Sequence, residues 1–497
     1  MQRIVIAGGG TAGWMAAALL ARFRPPPHAA ITLVESDDIG TIDVGEATVP
    51  TIRQFNAALG IDEPAFVAAT QGSFKLGIEF VGWGDAGNRH FHGFGDFGEA
   101  IAGIAPHHHW LRLHAAGQQP LPIDRWSMPA IAATQDRFAP PEAMRGAAAE
   151  FAYAYHFDAG RYAAFLRRHA EAAGVRRIEG RIASVERDPD GGDVTALLLD
   201  GERRIEGDLF IDCTGFRSLL LGDALEVPFV DWSHWLPCDR ALAVPCARSG
   251  RFTPFTRATA HGAGWQWRIP LQHRTGNGLV YASTLLSDDQ AATTLLGQLD
   301  GAALDTPRPI AFRTGHRASF WSHNVVAIGL AAGFMEPLES TSIQLIQNGL
   351  TRLLTLLPAG AIDAVVRDEY NRETGGEYAR VRDFLIAHYA ASRRDEPLWR
   401  QCRDMALPDT LAHKLALFDA IGRVPMYELE AHSEASWVAI LLGQGRLPRA
   451  YDAGADRPPL DQLGTLFGQR RAELERAAER MPAHAQFVDR TCRAQPA

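Results

Sequence analysis

The chain has 497 residues, a formal net charge of −9 and 46% hydrophobic residues, which leaves room for about two to four globular domains. The acidic balance, with its signs interspersed, argues against nucleic acid or an anionic membrane as partner, since both select a basic face. No apolar run reaches the length of a bilayer span and no charged, apolar leader opens the sequence, while Cys213, Cys238, Cys246, Cys402 and Cys492 lack C-x-x-C spacing; free thiols in a reducing cytoplasm are expected.

Residues 3–14, RIVIAGGGTAGW, read as strand, tight turn and helix, with Gly8, Gly10 and Gly13 at G-x-G-x-x-G spacing. A second apolar strand, 31–34, ends on Glu35, where a ribose-binding carboxylate is expected. Together they predict a site for the ADP half of a dinucleotide, and its place early in a chain this long favours FAD over NAD. The acidic stretch 43–50, DVGEATVP, reads by itself as a surface turn. Over 71–83 the alternation of Phe74, Leu76, Ile78 and Phe80 predicts one strand with a covered face, leaving Lys75 on the other face, where a lysine is ordinarily solvated.

Residues 84–149 are rich in Gly, His, Pro and Ala. His90, His92, Phe94 and Phe97 alternate with glycines, which suits the wall of an aromatic pocket or a plain ordered loop. The run His107–His109 lacks carboxylate–histidine pairing at zinc spacings, so no metal site is predicted. A helix is expected over 155–173, with Arg161, Arg167 and Arg168 on its polar side, followed by strands at 178–185 and 194–199. The apolar strand in DLFIDCTG, 208–215, closes on a small-residue turn, as in FAD proteins of the glutathione-reductase-like class. The segment 227–286 is strand-rich, with Trp265 and Trp267 in GWQWRIP; a further strand at 324–330 precedes a loop entering a helix. Beyond 350 the chain reads as helical, with runs at 411–422 and 463–481. No second G-x-G-x-x-G follows a strand. A flavin bound here must therefore be reduced through the substrate, through a site invisible as a motif, or by arriving reduced from another protein.

The motifs GGGTAGW (8–14), VGEATVP (44–50), FKLGI (74–78), YHFDA (155–159), GWQWRIP (264–270) and EPLESTSI (336–343) resemble, in order and spacing over roughly 3–400, the flavin-dependent tryptophan halogenases. The resemblance implies an α/β fold: an FAD-binding, glutathione-reductase-like or flavin monooxygenase-like Rossmann box with mixed sheets, 1–100 and 150–350. A helical capping portion, 101–149 and 351–497, is interwoven with it. It further implies that FADH2 from a separate NAD(P)H-dependent flavin reductase, with O2 and chloride or bromide, yields hypohalous acid that crosses an internal tunnel to an aromatic substrate. By position in the motifs, Lys75 matches the catalytic lysine, which holds the oxidant by hydrogen bond or as a haloamine, and Glu339 the glutamate beside it. Ala12, Gly13, Glu35, Ala47, Leu330 and Ile343 fall on positions that line FAD, with Gly8 and Gly10. Thr341 and Ser342 match the backbone halide site; many relatives have Gly at the second position, so Ser342 serves if its backbone angles are compatible. Trp265 and Trp267 match the partition between flavin and substrate, and His92 and Phe94 the sandwich around an indole ring. The segment 426–445, MYELEAHSEASWVAILLGQG, is rewritten where relatives clamp the amino-acid group, which shifts the expected substrate from tryptophan toward an indole lacking the zwitterion or a bulkier partner entering an open site. A homodimer is compatible with the resemblance.

An ammonium aimed at the oxidant makes its halogen more positive, and a nearby carboxylate stabilises the arenium cation and removes its proton; mutual pairing would keep both charged in a desolvated site. Two other readings stay open from the residues: an FAD-dependent aromatic monooxygenase, and a flavin- or indole-binding protein without turnover.

Overall fold

The first strand, Gln2–Ala7, is buried from Ile4 onward, as befits a strand covered on both faces by helices. It lies inside a six-stranded sheet whose spatial order is Trp321–Ser322, Val325–Ala327, Leu209–Asp212, Gln2–Ala7, Ala29–Glu35 and Arg176–Glu179. All neighbours are parallel except the outermost Trp321–Ser322. The helix Thr11–Phe23 makes the crossover between the first two parallel strands, so the predicted βαβ unit is present. The strand of the DLFIDCTG segment flanks it, Ile4 opposite Leu209 and Ala7 opposite Asp212. This computed structural model describes residues 1–39, 45–248, 250–358 and 360–495; Asp43 and Val44 of the acidic stretch lie outside the described residues.

An antiparallel meander, Ile182–Arg187, Val194–Leu199 and Arg204–Glu206, stands apart from a seven-stranded, mostly antiparallel sheet. The order of the latter is Arg308–Ala311, Arg240–Ala247, Arg274–Tyr281, Gly264–Pro270, Thr256–His261, Gly77–Val81 and Arg89–Gly93. The α/β class with mixed sheets is thus as the sequence predicts.

Two local expectations are corrected. The run 71–83 is two strands belonging to different sheets: Ser73–Lys75 pairs with Ala154–Asp158, whereas Gly77–Val81 joins the seven-stranded sheet. Leu76 is the pivot; its N–H donates to Pro254 O at 2.8 Å and its carbonyl accepts from Phe94 N at 2.9 Å. The predicted helix over 155–173 starts later, at Ala159, and ends at Ala172. Ala154–Asp158 before it is a strand clamped between Gly45–Ala47 and Ser73–Lys75, and pairing on both edges overrides helical patterning there.

The helices after residue 350 include Ala364–Ala390, Asp409–Ile421, Glu434–Gly443 and Leu460–Arg480. The second half of Ala364–Ala390 is sunk into the protein, with Phe384 through Tyr389 at 0% exposure. Glu434–Gly443 packs against both that helix and the strand Arg89–Gly93. Among the described residues, no helix is long and apolar enough to cross a membrane. The five cysteines are buried and unpaired.

Candidate active site

The glycine turn has the geometry a pyrophosphate requires. Gly8 adopts φ +104°, and a Cβ there would fall 2.3 Å from Cys213 O; at Gly13 a Cβ would fall 1.9 Å from Gly8 O, so helix and turn touch backbone to backbone. Gly10, between them, faces open space. It is also the N-cap of Thr11–Phe23, makes no side-chain cap bond, and is followed by a first turn without acidic residues, which leaves N–H groups and a positive helix end toward that space. Glu35 ends its strand as predicted. Its Oε2 lies over Gly9 and accepts from Trp14 Nε1 at 3.3 Å, while Arg177 binds Oε1. These residues fit the ADP half of FAD. Ala12 approaches the turn Gly329–Ala331, its Cβ 2.9 Å from where a Cβ of Gly329 would lie, so Leu330 stands beside the same helix. The helix Ser342–Leu356, which carries Ile343, packs on both.

From this end the chain leads directly to Lys75. Ala47 is paired with His156, and the next residue, Thr48, presents its carbonyl to Lys75 Nζ at 2.9 Å. A second bond from Nζ reaches Ser340 Oγ at 2.8 Å, and the ring of Phe94 lies 5.2 Å from Nζ. The solvated face expected for Lys75 does not exist: the side chain is 0% exposed, because the strand bearing it is covered on both faces. Burial lowers its pKa from 10.5 to about 7, with Glu339 opposing the shift. The amine is therefore available near neutrality in both protonation states.

Glu339 stands next to Ser340 in the short turn Pro337–Glu339 and is 1% exposed. The expected direct pairing with Lys75 is replaced by another arrangement, in which the carboxylate is held by two imidazoles. His388 Nε2 lies 2.8 Å from Oε1, and His92 Nδ1 lies 3.0 Å from Oε2 and 3.2 Å from Oε1. Lys75 instead reaches the turn through Ser340. Burial pushes the Glu339 carboxyl up, but the charge and hydrogen bonds of His92 and His388 outweigh it and hold the group well below the usual carboxylate range. Among the described residues no group of three or more His, Cys, Asp or Glu side chains is arranged to hold a metal.

Ser340 adopts φ +61°, ψ +33°, a left-handed conformation that costs an L-residue about 1–3 kcal/mol. Its N–H donates to Pro337 O at 3.1 Å and its hydroxyl receives Lys75. This bend turns the chain from Glu339 into Thr341 and Ser342. Thr341 is the helix N-cap, makes no side-chain cap bond, and is 2% exposed. Ser342 is already helical, a conformation open to any residue, so the serine carries no backbone penalty. Trp265 and Trp267 lie on one face of Gly264–Pro270 and are 1% and 8% exposed, their rings 6.1 Å apart.

His388 and Ser340 escaped the sequence reading. His388 sits in an apolar helical stretch where a core histidine is the ordinary reading, and Ser340 in a run of small polar residues. His432, stacked on Phe384 at 3.7 Å and 6.4 Å from His92, packs beside this cluster.

A family model described as tryptophan halogenase matches residues 3–459. The chain belongs to the tryptophan halogenase family. It is 36% identical to the tryptophan 6-halogenase SttH of Streptomyces toxytricini over 481 residues, 90% of each chain. Among solved structures, this halogenase is similar to the flavin-dependent halogenase Xcc4156 from Xanthomonas campestris (TM-score 0.96, 47% identity, covering 100% and 99% of the two chains). It is also similar to BrvH from Brevundimonas sp. BAL3 (TM-score 0.94, 46% identity, covering 98% and 99%). Membership makes this chain an FADH2-dependent halogenase, an oxidoreductase that uses FAD and a halide ion and draws on a separate flavin reductase and an aromatic substrate.

Proposed function

We propose that this halogenase substitutes bromide or chloride onto an electron-rich aromatic, an indole without the amino-acid zwitterion, with Lys75 and Glu339 as its catalytic residues. The observation that carries the reading is the burial of Lys75 and Glu339 close together in the protein interior, Lys75 bound to Ser340, the residue after Glu339, with Phe94 beside the amine and His92 on the carboxylate. Bound FADH2, with O2 and halide, supplies hypohalous acid. Gly8, Gly10, Ala12, Gly13, Glu35, Ala47, Leu330 and Ile343 hold the flavin, and the uncapped backbone at Thr341 and Ser342 holds the halide. Trp265 and Trp267 partition flavin from substrate, with 1–100 and 150–350 forming the flavin box and 101–149 and 351–497 covering it.

Two of the ammonium protons of Lys75 are engaged by Thr48 O and Ser340 Oγ. The third is free to polarise the oxidant, as a donor preorganised in a dry site. Glu339 then removes the ring proton. Phe94, beside the amine of Lys75, and His92, on the carboxylate of Glu339, are assigned to the walls around a flat ring. The substrate preference is supported by the rewritten C-terminal segment. Glu430 there is bound by the buried Lys414, which lies 4.3 Å from the ring of Trp437. With one oxygen taken by Lys414, this carboxylate attracts a substrate ammonium less strongly, and weakening such a pairing relaxes selection for the amino acid.

A panel of indole, free tryptophan and phenol, supplied with flavin reductase, NADH, FAD and either halide, tests this. Monohalogenated indole is expected as the leading product. A preference for free tryptophan would overturn the substrate assignment, and hydroxylated products without halogen would overturn the reaction.

A further inference from the structure

His388 makes two hydrogen bonds that fix the number of protons it shares with Glu339. Its Nδ1 is 2.8 Å from the carbonyl oxygen of Phe384, and its Nε2 is 2.8 Å from Oε1 of Glu339. A carbonyl oxygen only accepts, so Nδ1 is protonated; an ionised carboxylate also only accepts, so a second proton lies between Nε2 and Oε1. With His388 0% and Glu339 1% exposed, the pair holds two protons on a line from Phe384 to the carboxylate. Either His388 is an imidazolium facing a carboxylate, or a neutral imidazole faces a carboxylic acid. The surroundings favour the first. His92 Nδ1 also points at both carboxylate oxygens, and the ammonium form of Lys75 attracts the ionised Glu339 directly. The remaining titratable groups facing the pair are His90 and His432, both driven down to about 3 chiefly by burial; Lys414 lies behind His432, paired with Glu430.

We propose that His388 is a positioning residue for halogenation: as a buried imidazolium it clamps Oε1 of Glu339 and leaves Oε2, shared with His92, as the oxygen that takes the substrate proton. In that step the C–H bond of the halogenated ring cation breaks, its electron pair returns to the ring, and an O–H bond forms at Oε2. His388 keeps both of its protons throughout. The inference rests on the halogenase reading above. It assigns to the base a second, cationic component whose only contact with the chemistry is through Glu339.

Two variants test it. His388→Asn keeps a donor near Phe384 O but withdraws the one facing Glu339; His388→Gln restores a neutral donor at about the reach of Nε2. With the holoenzyme, flavin reductase, indole and bromide, the Asn variant is expected to lose more than about tenfold in halogenated product while flavin reoxidation and hypobromous acid release stay at the wild-type rate. The Gln variant is expected to recover most of the product, but with the acid limb of its pH–rate profile moved to higher pH, because a carboxylate that loses a cationic partner binds its proton more tightly. An Asn variant with wild-type product and profile would overturn the inference, as would a Gln variant with an unmoved acid limb. If His388→Asn melts well below the wild type, the acid limb of His388→Gln decides alone. Absence of halogenated product from the wild type would defeat the functional reading, whereas wild-type product indifferent to both variants would defeat only this assignment.

Discussion

Replacing Lys75 by methionine keeps an unbranched side chain one atom shorter and removes its titration, with a consequence for stability. Burial lowers the pKa of Lys75 from 10.5 to about 7. Each tenfold change in proton affinity corresponds to about 1.4 kcal/mol, so the folded protein holds this proton about 5 kcal/mol more weakly than the unfolded chain does. The folded value is the lower one. The penalty is therefore complete below about pH 7, and it fades as the pH rises toward 10.5, where both states are neutral. Wild-type stability should climb across that window at up to about 1.4 kcal/mol per pH unit from this group alone. The methionine variant leaves Thr48 O and Ser340 Oγ without their partner, a loss of about 1–3 kcal/mol each, but this does not vary with pH. The assay is urea denaturation of both proteins at several values from about pH 6.5 to about pH 10, taking the difference in unfolding free energy so that all other titrating groups cancel. That difference should rise by several kcal/mol in favour of the wild type. Parallel stability curves would show that Lys75 binds its proton normally when folded, and would refute the argument from its burial.

The same amine predicts a basic limb in catalysis: if its third proton polarises the oxidant, halogenation falls as the pH rises through about 7, and a rate that instead rises over that range would assign the work to the neutral amine as a haloamine. Glu339→Gln should lower halogenated product by about 10²- to 10⁴-fold, the usual weight of a general base, with FAD affinity by fluorescence titration unchanged; a matching loss of FAD affinity would make the residue structural. Gly10→Val places its side chain in open space, so the fold should melt as the wild type while FAD binding is lost, and retained FAD binding would move the pyrophosphate elsewhere. Gly13→Val, by contrast, collides with Gly8 O and should fail to accumulate as folded protein.

The glycine-turn end of the molecule was legible because its physics is local. The spacing of Gly8, Gly10 and Gly13, the strand before them and Glu35 after the next strand are all dictated by one βαβ unit, and each lies where predicted. Periodicity was less informative about Lys75. A period-two pattern shows that one face of 71–83 is covered, but it cannot reveal that the segment changes sheets at Leu76 or that Ala154–Asp158 closes over the other face. The partners of Glu339 were invisible for a related reason. His92 comes from a strand 247 positions away and His388 from a helix 49 positions away, and the contact exists only because the buried end of Ala364–Ala390 reaches the turn before Ser342. The motif resemblance supplied Lys75 and Glu339, and the coordinates supplied the imidazoles that replace the ion pair expected between them.

In the proposed reaction, Lys75 delivers to the aromatic ring an oxidant that is made without it. The most direct measurement counts two quantities per flavin turnover, hypobromous acid caught by an external trap and bromoindole formed, in the wild type and in Lys75→Ala. Bromoindole should dominate in the wild type; in the variant it should vanish, with trapped hypobromous acid rising to take its place. Equal bromoindole yields from the two proteins, or loss of oxidised bromide together with product in the variant, would contradict the role assigned to Lys75.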